Sequence, residues 1–339
     1  MKYPIAIWML AIGAFAIGMT EFVIMGLLPN IARDFDVTVS QAGQLITGYA
    51  LGVAIGGPII VMLTIKWNRK YLLLVLMGIF ILGNFAASFS PSYGFMMTSR
   101  IITSLAHGSF FGIGSILAAS MVRPEKRASA MALMFMGLSL SNILGVPFGT
   151  LVGQNFGWPM TFIVISIIGA IALVGIIIFV PMQRETVKSS VLNELKILKE
   201  KRLWLTLAVT LFGFSSVFAY FTYISTVLTD VSNVQENLIS YLLIIFGVGV
   251  TLGNIVGGKL ADWNLNKSLQ MIFTIFILYF VLLYFIQMNG FLMVAGIFFF
   301  GLIGFSMSPS LQFKSTLISK DAPTLASTLN QSAFNLGNA

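Results

Sequence analysis

The 339-residue chain has no cysteine, one histidine and few charged side chains. Without cysteine it forms neither disulfides nor thiolate metal sites, and thiol catalysis is excluded. One histidine and 11 acidic residues leave little material for a metal site, so we expect no metal and no other cofactor. Charged residues make up 9% of the chain and hydrophobic residues 58%, which excludes a water-soluble domain of this size.

Long apolar runs separated by short polar links fill the chain, which is typical of an all-α membrane protein. A transmembrane helix needs about 20 mostly apolar residues, and ten runs reach that length. The predicted spans are 5–29, 42–64, 70–90, 94–121, 128–153, 159–181, 204–228, 238–259, 268–288 and 291–313. An eleventh span begins near residue 322 and continues to the end of the chain.

Lysine and arginine are concentrated in alternate links. With the N-terminus in the cytoplasm, 17 of the 19 basic residues lie on that side, and only Arg33 lies in a link on the other side. Cytoplasmic links of membrane proteins carry such an excess, so we predict a cytoplasmic N-terminus. The net charge of +8 then faces lipid headgroups. We therefore expect a lipid bilayer, and no nucleic acid, as the partner of these charges.

The longest polar stretch divides the chain into two parts. We predict a six-helix bundle over 1–181, a cytoplasmic linker with an amphipathic helix over 182–203, and a second bundle over 204–339. An offset of 197 residues pairs Gly52 with Gly249, as expected for repeated halves. Equal halves would need six spans each. We then expect this chain to lack the end of span eleven and all of span twelve; a naturally shorter protein is the alternative.

Glycines recur at four-residue spacing in the second and eighth spans. Small residues at this spacing let transmembrane helices approach closely. We predict helix interfaces on these faces, and a role in relative helix motion is the alternative. The glycines are Gly48, Gly52, Gly56 and Gly57 in the second span, and Gly247, Gly249, Gly253, Gly257 and Gly258 in the eighth.

Three ionisable residues lie inside the predicted spans: Glu21, Arg100 and His107. A charge at the bilayer centre costs about 2.5–3.5 kcal/mol or more, so such residues usually face a cavity or one another. Counting from the outer helix ends puts Glu21 and Arg100 at about 12 Å and about 9 Å depth. We predict either a proton-coupling site, in which Arg100 moves between Glu21 and another partner, or a permanent ion pair between helices.

A second set of polar and aromatic residues lies where a solute path could run. His107 shares a helix face with Arg100 and Phe111, and is either a proton carrier or a hydrogen-bonding packing residue. Aromatic walls with hydroxyl groups suit a sugar or a planar organic molecule, although interfacial aromatic belts are an alternative. The candidates for the substrate cavity are Phe111, Asn142, Ser216, Tyr220 and Tyr223.

These stretches together resemble the major facilitator superfamily over essentially the whole chain. The closest resemblance is to the arabinose-efflux-permease-like branch of its drug:proton antiporter group. The similarity lies in residues 18–29 of the first span and in Arg100 with residues 107–112 of the fourth span. In the fifth span, Gly145, Pro147 and Gly149 are similar to the glycine-proline antiporter motif. A bend that serves packing alone is the alternative for Pro147.

The family's loop motif occurs twice in altered form. After the second span, Val61 and Ile65 replace its glycine and its acid. After the eighth span, the motif is intact from Gly258 to Asp262. The resemblance implies a gating role for these loops, in which Asp262 pairs with a basic residue or caps a helix N-terminus. The basic residues kept in the first loop are Lys66, Arg69 and Lys70.

The resemblance implies two six-helix bundles around a central cavity that opens alternately to either side of a bacterial cytoplasmic membrane. It implies a monomeric secondary transporter that exports a small organic solute, sugar-like or drug-like, in exchange for protons. A purine or nucleoside exporter of the same fold is one alternative, and a non-transporting membrane sensor is another. We do not expect an enzyme, because the sequence offers no paired aspartates, no serine–histidine couple at one depth and no metal ligands.

Overall fold

In a computed structural model, the regular elements of the described residues are helices. The structure describes residues 3–64, 66–182, 196–222, 224, 227–318 and 323–338. The α-helices are α1 Ile5–Asp34, α2 Val39–Leu63, α3 Arg69–Ser88, α4 Tyr93–Ser120, α5 Arg127–Leu140, α6 Val146–Phe156, α7 Trp158–Phe179, α8 Lys201–Thr222, α9 Glu236–Ile286, α10 Gly290–Ile318 and α11 Pro323–Asn338. Two π-helical turns are Ser141–Gly145, between α5 and α6, and Val227–Val231, after α8.

Within the described residues, nine helical segments are long and apolar enough to cross a bilayer. Seven of them match the first seven predicted spans, and another matches the tenth. The remaining segment, Tyr241–Ile286, covers most of both the eighth and the ninth predicted spans. These positions confirm an all-α membrane protein.

The link expected between the eighth and ninth spans is a single non-helical residue inside α9. Asn264 has φ −160° and ψ 101°, and its side-chain oxygen accepts a hydrogen bond from the backbone N–H of Lys267 at 3.0 Å. Asparagine in this role caps the start of a helix, so α9 kinks at Asn264 without a loop. The expected link was too long because polar residues around Asn264 extend both helices beyond their apolar runs.

The fifth span is interrupted by the π-helical turn Ser141–Gly145 just before Pro147. Proline has no N–H to donate to the preceding turn, and a π turn is a common local adjustment in membrane helices. Gly149, one turn after Gly145, faces α1, where an added Cβ would lie 2.6 Å from a side-chain atom of Met19. The glycines therefore let α6 pack closely against α1.

Glycines of the eighth predicted span form the contact between α9 and α10. Gly249, Gly253 and Gly257 are four residues apart, and a side chain at any of them would collide with a backbone carbonyl group of α10. The carbonyl groups belong to Phe298, Leu302 and Ser306, respectively. Small residues thus allow backbone contact, which confirms the helix interface predicted from their spacing.

Buried apolar side chains form two main cores, one in each half of the chain. The first core contains residues of α1 to α5 and α7 with Leu325 of α11, and the second contains residues of α8 to α10 with Phe334 of α11. In the first half, α7 packs on α1 and α3, with Gly175 of α7 against Met9. In the second half, a cavity of about 1160 Å³ lies between α8, α10 and the part of α9 after Asn264.

The two halves meet towards one end of the helices, which we call the basic end. There α5 packs against α9, and α11 packs against α2 and α4. Gly57 of α2 and Gly112 of α4 both face Thr328 of α11. The excess of positive charge predicts that this end is cytoplasmic. The basic end is defined by Lys66, Lys70, Lys126, Arg127, Lys201, Arg202, Lys259, Lys267 and Lys314.

Candidate functional site

The three intramembrane ionisable residues lie together in the interior of the first half, and we call them the charged cluster: Glu21, Arg100 and His107. Glu21 on α1 is 3% exposed, and Arg100 and His107 on α4 are each 1% exposed. The Nη1 group of Arg100 donates a hydrogen bond of 2.6 Å to the backbone carbonyl of Thr20. Since Thr20 adjoins Glu21, the acid and the base lie at one depth of the membrane.

Glu21 and Arg100 do not form a direct ion pair in this conformation. Among the described residues, the only N–O ion-pair distance within 4.0 Å joins His107 Nδ1 to Glu21 Oε2, at 4.0 Å. Both carboxyl oxygens of Glu21, and Nε and Nη2 of Arg100, are buried without a hydrogen-bond partner. Unpartnered polar atoms in an apolar interior cost free energy. A proton or another partner that binds to this cluster would therefore stabilise it strongly.

Tyr49 of α2 completes the surroundings of the charged cluster. Its hydroxyl group lies 3.2 Å from His107 Nδ1, and either group can be the donor, depending on the tautomer of the imidazole. The guanidinium carbon of Arg100 lies 4.3 Å from the centre of the Tyr49 ring, a cation–π geometry. The sequence analysis missed Tyr49, although its spacing of three and seven residues from Gly52 and Gly56 puts it on the glycine-rich face of α2.

Thr20 and Asn84 tie the charged cluster to α3. The Thr20 hydroxyl donates to the side-chain oxygen of Asn84, and the Asn84 amide donates to the carbonyl of Phe80 at 2.8 Å. Asn84 thus bonds across helices, as its position in a span predicts. These bonds fix the turn of α1 that carries Glu21.

The candidate substrate residues do not form one group, since Phe111 lies against the charged cluster and Tyr220 lies in the second core. Phe111 is fully buried in the first core, with its ring 5.0 Å from His107 and stacked on Phe135 at 5.3 Å. Asn142 and Ser216 bond to carbonyl groups of their own helices. Tyr223 lies outside the described residues.

Tyr220 of α8 is half-buried among the rings of the second core. Its ring centre lies 5.0 Å from that of Phe300 and 6.0 Å from that of Phe280. Its hydroxyl oxygen has no hydrogen-bond partner. An aromatic surface with one free hydroxyl can bind a solute by stacking and by one hydrogen bond.

Asp262 of α9 closes the basic end by capping a helix of the other half. Its carboxylate accepts hydrogen bonds from the backbone N–H groups of Ala128 at 2.9 Å and Ser129 at 3.1 Å, and from the Ser129 hydroxyl. The first turn of α5 has no acidic residue and no side-chain cap of its own. A carboxylate at a helix N-terminus binds free N–H groups and opposes the helix dipole. Gly258 allows this approach, because it packs directly on Ala132.

The basic residues of the first loop take other positions. Lys70 Nζ donates to the carbonyl of Ile177 at 2.7 Å, near the end of α7, where a cation is favoured by the helix dipole. Lys66 is exposed and Arg69 begins α3. Ile65, which replaces the acid of the motif, lies outside the described residues.

A family model described as Major Facilitator Superfamily matches residues 10–339. The chain belongs to this superfamily. The inner membrane transport protein YdhP of Escherichia coli K12 is 40% identical over 339 residues, which is 100% of this chain and 87% of YdhP. AraJ of the same organism is 32% identical over 334 residues, 97% of this chain and 84% of AraJ. The chloramphenicol resistance protein of Streptomyces lividans is 28% identical over 340 residues, 99% of this chain and 87% of that protein.

A solved structure shows the same fold. The crystal structure of the human organic anion transporter MFSD10 matches with a TM-score of 0.73 at 13% identity, over 98% of this chain and 91% of that one. The major facilitator fold expected from the sequence is thereby confirmed, and the chain is a multi-pass membrane transporter of this superfamily.

A group of uncharged polar residues in this major facilitator chain was missed as a site by the sequence analysis. All are buried, and they connect α4 of the first half with α8, α10 and α11 of the second. The sequence analysis did not identify this group, although six of the nine residues 327–335 are Ser, Thr, Asn or Gln, a signal that could have located it. We call it the polar layer, and its members are Ser115, Thr210, Gln312, Ser327, Asn330 and Gln331.

Proposed function

We propose that the protein is a proton-coupled exporter of a small organic solute, working as a monomer by alternating access in a bacterial cytoplasmic membrane. The observation that carries the proposal is Glu21: a carboxyl group buried inside the bilayer, with no hydrogen-bond partner on either oxygen. Intramembrane acids in transporters mark ion and proton paths. The names of two relatives, a chloramphenicol resistance protein and an inner membrane transport protein, support solute transport.

In this proposal, transport is coupled to protons through the distance between the Glu21 carboxyl group and the Arg100 guanidinium group. The proton affinity of a buried carboxyl group depends strongly on how close a positive charge lies. Arg100 is held by Thr20 and Tyr49 instead of by Glu21 in this conformation. A change of conformation that moves the guanidinium group towards Glu21 would release a proton, and the reverse change would favour binding one.

We assign the solute path to the surface between the two halves, where alternating access opens the protein to each side in turn. Asn142, Ser216 and Tyr220 remain candidates to line it. Tyr220 is the strongest of the three, because its hydroxyl group is unpartnered. Asp262, with Gly258, acts as the latch at the basic end.

The test is transport into everted membrane vesicles that generate an acidic interior. Labelled sugars, nucleosides and lipophilic cations would be tried first by counterflow, and a solute that is carried would then be followed with and without the pH gradient. We expect uptake that needs the gradient in the unmodified chain. Glu21→Gln should reduce this uptake to background while leaving solute counterflow. The amide has the shape of the acid, but it neither binds nor releases a proton as a carboxyl group does.

The matched control is Glu125→Gln, which neutralises an exposed acid in the turn before α5. It should transport as the unmodified chain does. Gradient-driven uptake that persists in Glu21→Gln would exclude Glu21 from coupling and remove the main support for proton exchange.

A further inference from the structure

The polar layer lies between the two halves, near the basic end. Ser115 is five residues, or about 8 Å, from the basic end of α4, and Gln312 is six residues, or about 9 Å, from that of α10. Gln312 is the hub: its Oε1 accepts hydrogen bonds from Asn330 at 2.7 Å and from Gln331 at 2.9 Å. Thr210 of α8 donates to the Asn330 side-chain oxygen at 2.7 Å.

Some bonds of the polar layer cross from one half to the other. The hydroxyl groups of Ser115 and Ser327 lie 2.9 Å apart, Gln312 Nε2 donates to Ser115 at 3.2 Å, and the Ser327 hydroxyl bonds the carbonyl of Gly112 at 2.8 Å. Alternating access at the basic end requires the halves to separate here. Separation breaks these bonds and exposes hydroxyl and carboxamide groups at the innermost point of the opening.

One side of α11 continues this polar surface towards the middle of the membrane. Ser327, Gln331 and Asn335 are four residues apart, so they follow one another along one face of the helix. Asn335 is fully buried, and its side-chain oxygen has no hydrogen-bond partner. Its amide nitrogen bonds only the carbonyl of Gln331, one turn earlier in the same helix. A buried, unpartnered oxygen of this kind points to a partner that binds in another state.

The chemistry of this surface is uncharged. Carboxamides and hydroxyl groups offer both donors and acceptors, and among the described residues no acidic or basic side chain hydrogen-bonds to any member of the polar layer. A cation in an apolar site would need a carboxylate or an open aromatic face. Sugar-like hydroxyl groups, which donate and accept, match carboxamides that do the same.

We propose that Gln312, Ser327, Gln331 and Asn335 form a binding site for an uncharged solute with several hydroxyl groups, used when the basic end opens. The polar layer then has two uses: its groups bond to one another when the end is closed and to solute when it is open. This proposal rests on the transport function above and specifies its substrate class and site.

The test is equilibrium binding to the full chain in lipid nanodiscs. The probes are labelled D-xylose, D-glucose and mannitol, with tetraphenylphosphonium as the cationic competitor. We expect at least one neutral probe to bind without competition from the cation. Asn335→Leu should weaken that binding about ten-fold or more while preserving the fold, since no bond between helices is lost. Gln331→Met should act in the same direction.

Asn155→Leu is the matched control, because Asn155 is exposed and bonds only its own helix; its affinity should stay within about two-fold. Thermal unfolding of each variant excludes a general loss of structure, and Asn335→Leu decides the outcome if Gln331→Met unfolds. Neutral binding that neither substitution changes, competition by the cation, or no binding of any neutral probe would each overturn the proposal. Glu21→Gln should retain the binding, so a failure of proton coupling would leave this result intact.

Discussion

At the residue scale, the charged cluster is held by its neighbours more than by its own charges. Arg100 is partly compensated by the Thr20 carbonyl and the face of Tyr49, whereas the Glu21 carboxyl group accepts no hydrogen bond and lies 4.0 Å from His107 Nδ1. Removing one partner of a buried charge destabilises a protein by more than the complete ion pair stabilises it. A buried acid without a hydrogen-bond partner in this conformation is therefore better explained by a conformational change than by a permanent ion pair between helices.

His107 can be tested as a proton carrier against the simpler role of a hydrogen-bonding packing residue. We expect His107→Gln to keep gradient-driven transport within about three-fold, because an amide can still bond the Tyr49 hydroxyl, as Nδ1 does. His107→Leu should lower stability by about 1–3 kcal/mol, since it leaves that hydroxyl buried and unpaired. Vesicle transport and thermal unfolding measure the two effects. Loss of coupling in the glutamine variant, as in Glu21→Gln, would instead identify the histidine as a carrier.

Sequence alone located the charged residues but could not assign their partners. Glu21, Arg100 and His107 are conspicuous because charge is rare inside spans. The bonds of Arg100 to Thr20 and Tyr49 depend on how α1, α2 and α4 are rotated about their axes. Both sides of a helix that faces lipid on one side and protein on the other are apolar. The sequence pattern therefore predicts the rotation of such a helix poorly.

At the element scale, helix positions were predictable and helix ends were less so. Apolar length fixes where a span lies, and the first seven spans and the tenth agree with the structure. The continuation of α9 through Asn264 and the π turn before Pro147 depend on backbone hydrogen bonds that a hydropathy pattern does not contain. The sequence analysis did not identify the polar layer because helix α11, which carries half of its residues, is only weakly apolar.

The α9–α10 contact gives a prediction with an internal control. Gly253→Val should destabilise the protein by about 1–3 kcal/mol or more, because the new side chain would overlap the Leu302 carbonyl, which is backbone and cannot rotate away. Gly78→Val is the control: it is also inside a helix, but no atom lies within 4 Å of its Cβ position. Its effect should stay within about 0.5 kcal/mol. Thermal unfolding in detergent compares them, and equal effects would contradict the packing argument.

At the scale of the whole molecule, the two halves contribute differently to the contact at the basic end. The second half keeps its loop acid, and Asp262 caps α5 of the first half. The first half has Ile65 where the acid would be, and α11 begins with Pro323, which has no N–H to offer. Among the described residues, the basic end is therefore held by the carboxylate cap of Asp262 and by the uncharged polar layer, an asymmetry that the motif comparison could indicate but only the fold could locate.

Removing the carboxylate of Asp262 should favour opening of the basic end. The 339-residue sequence has no cysteine, so Ser115→Cys provides one thiol between the halves that a membrane-impermeant maleimide reaches only when they separate. In that background, Asp262→Ala removes three hydrogen bonds to a carboxylate and should raise the labelling rate in everted vesicles about ten-fold or more. Glu125→Ala, which removes an exposed acid beside the same helix, should leave the rate unchanged. If both variants label at the parent rate, the closed state does not depend on Asp262, and the polar layer and helix packing alone must hold it.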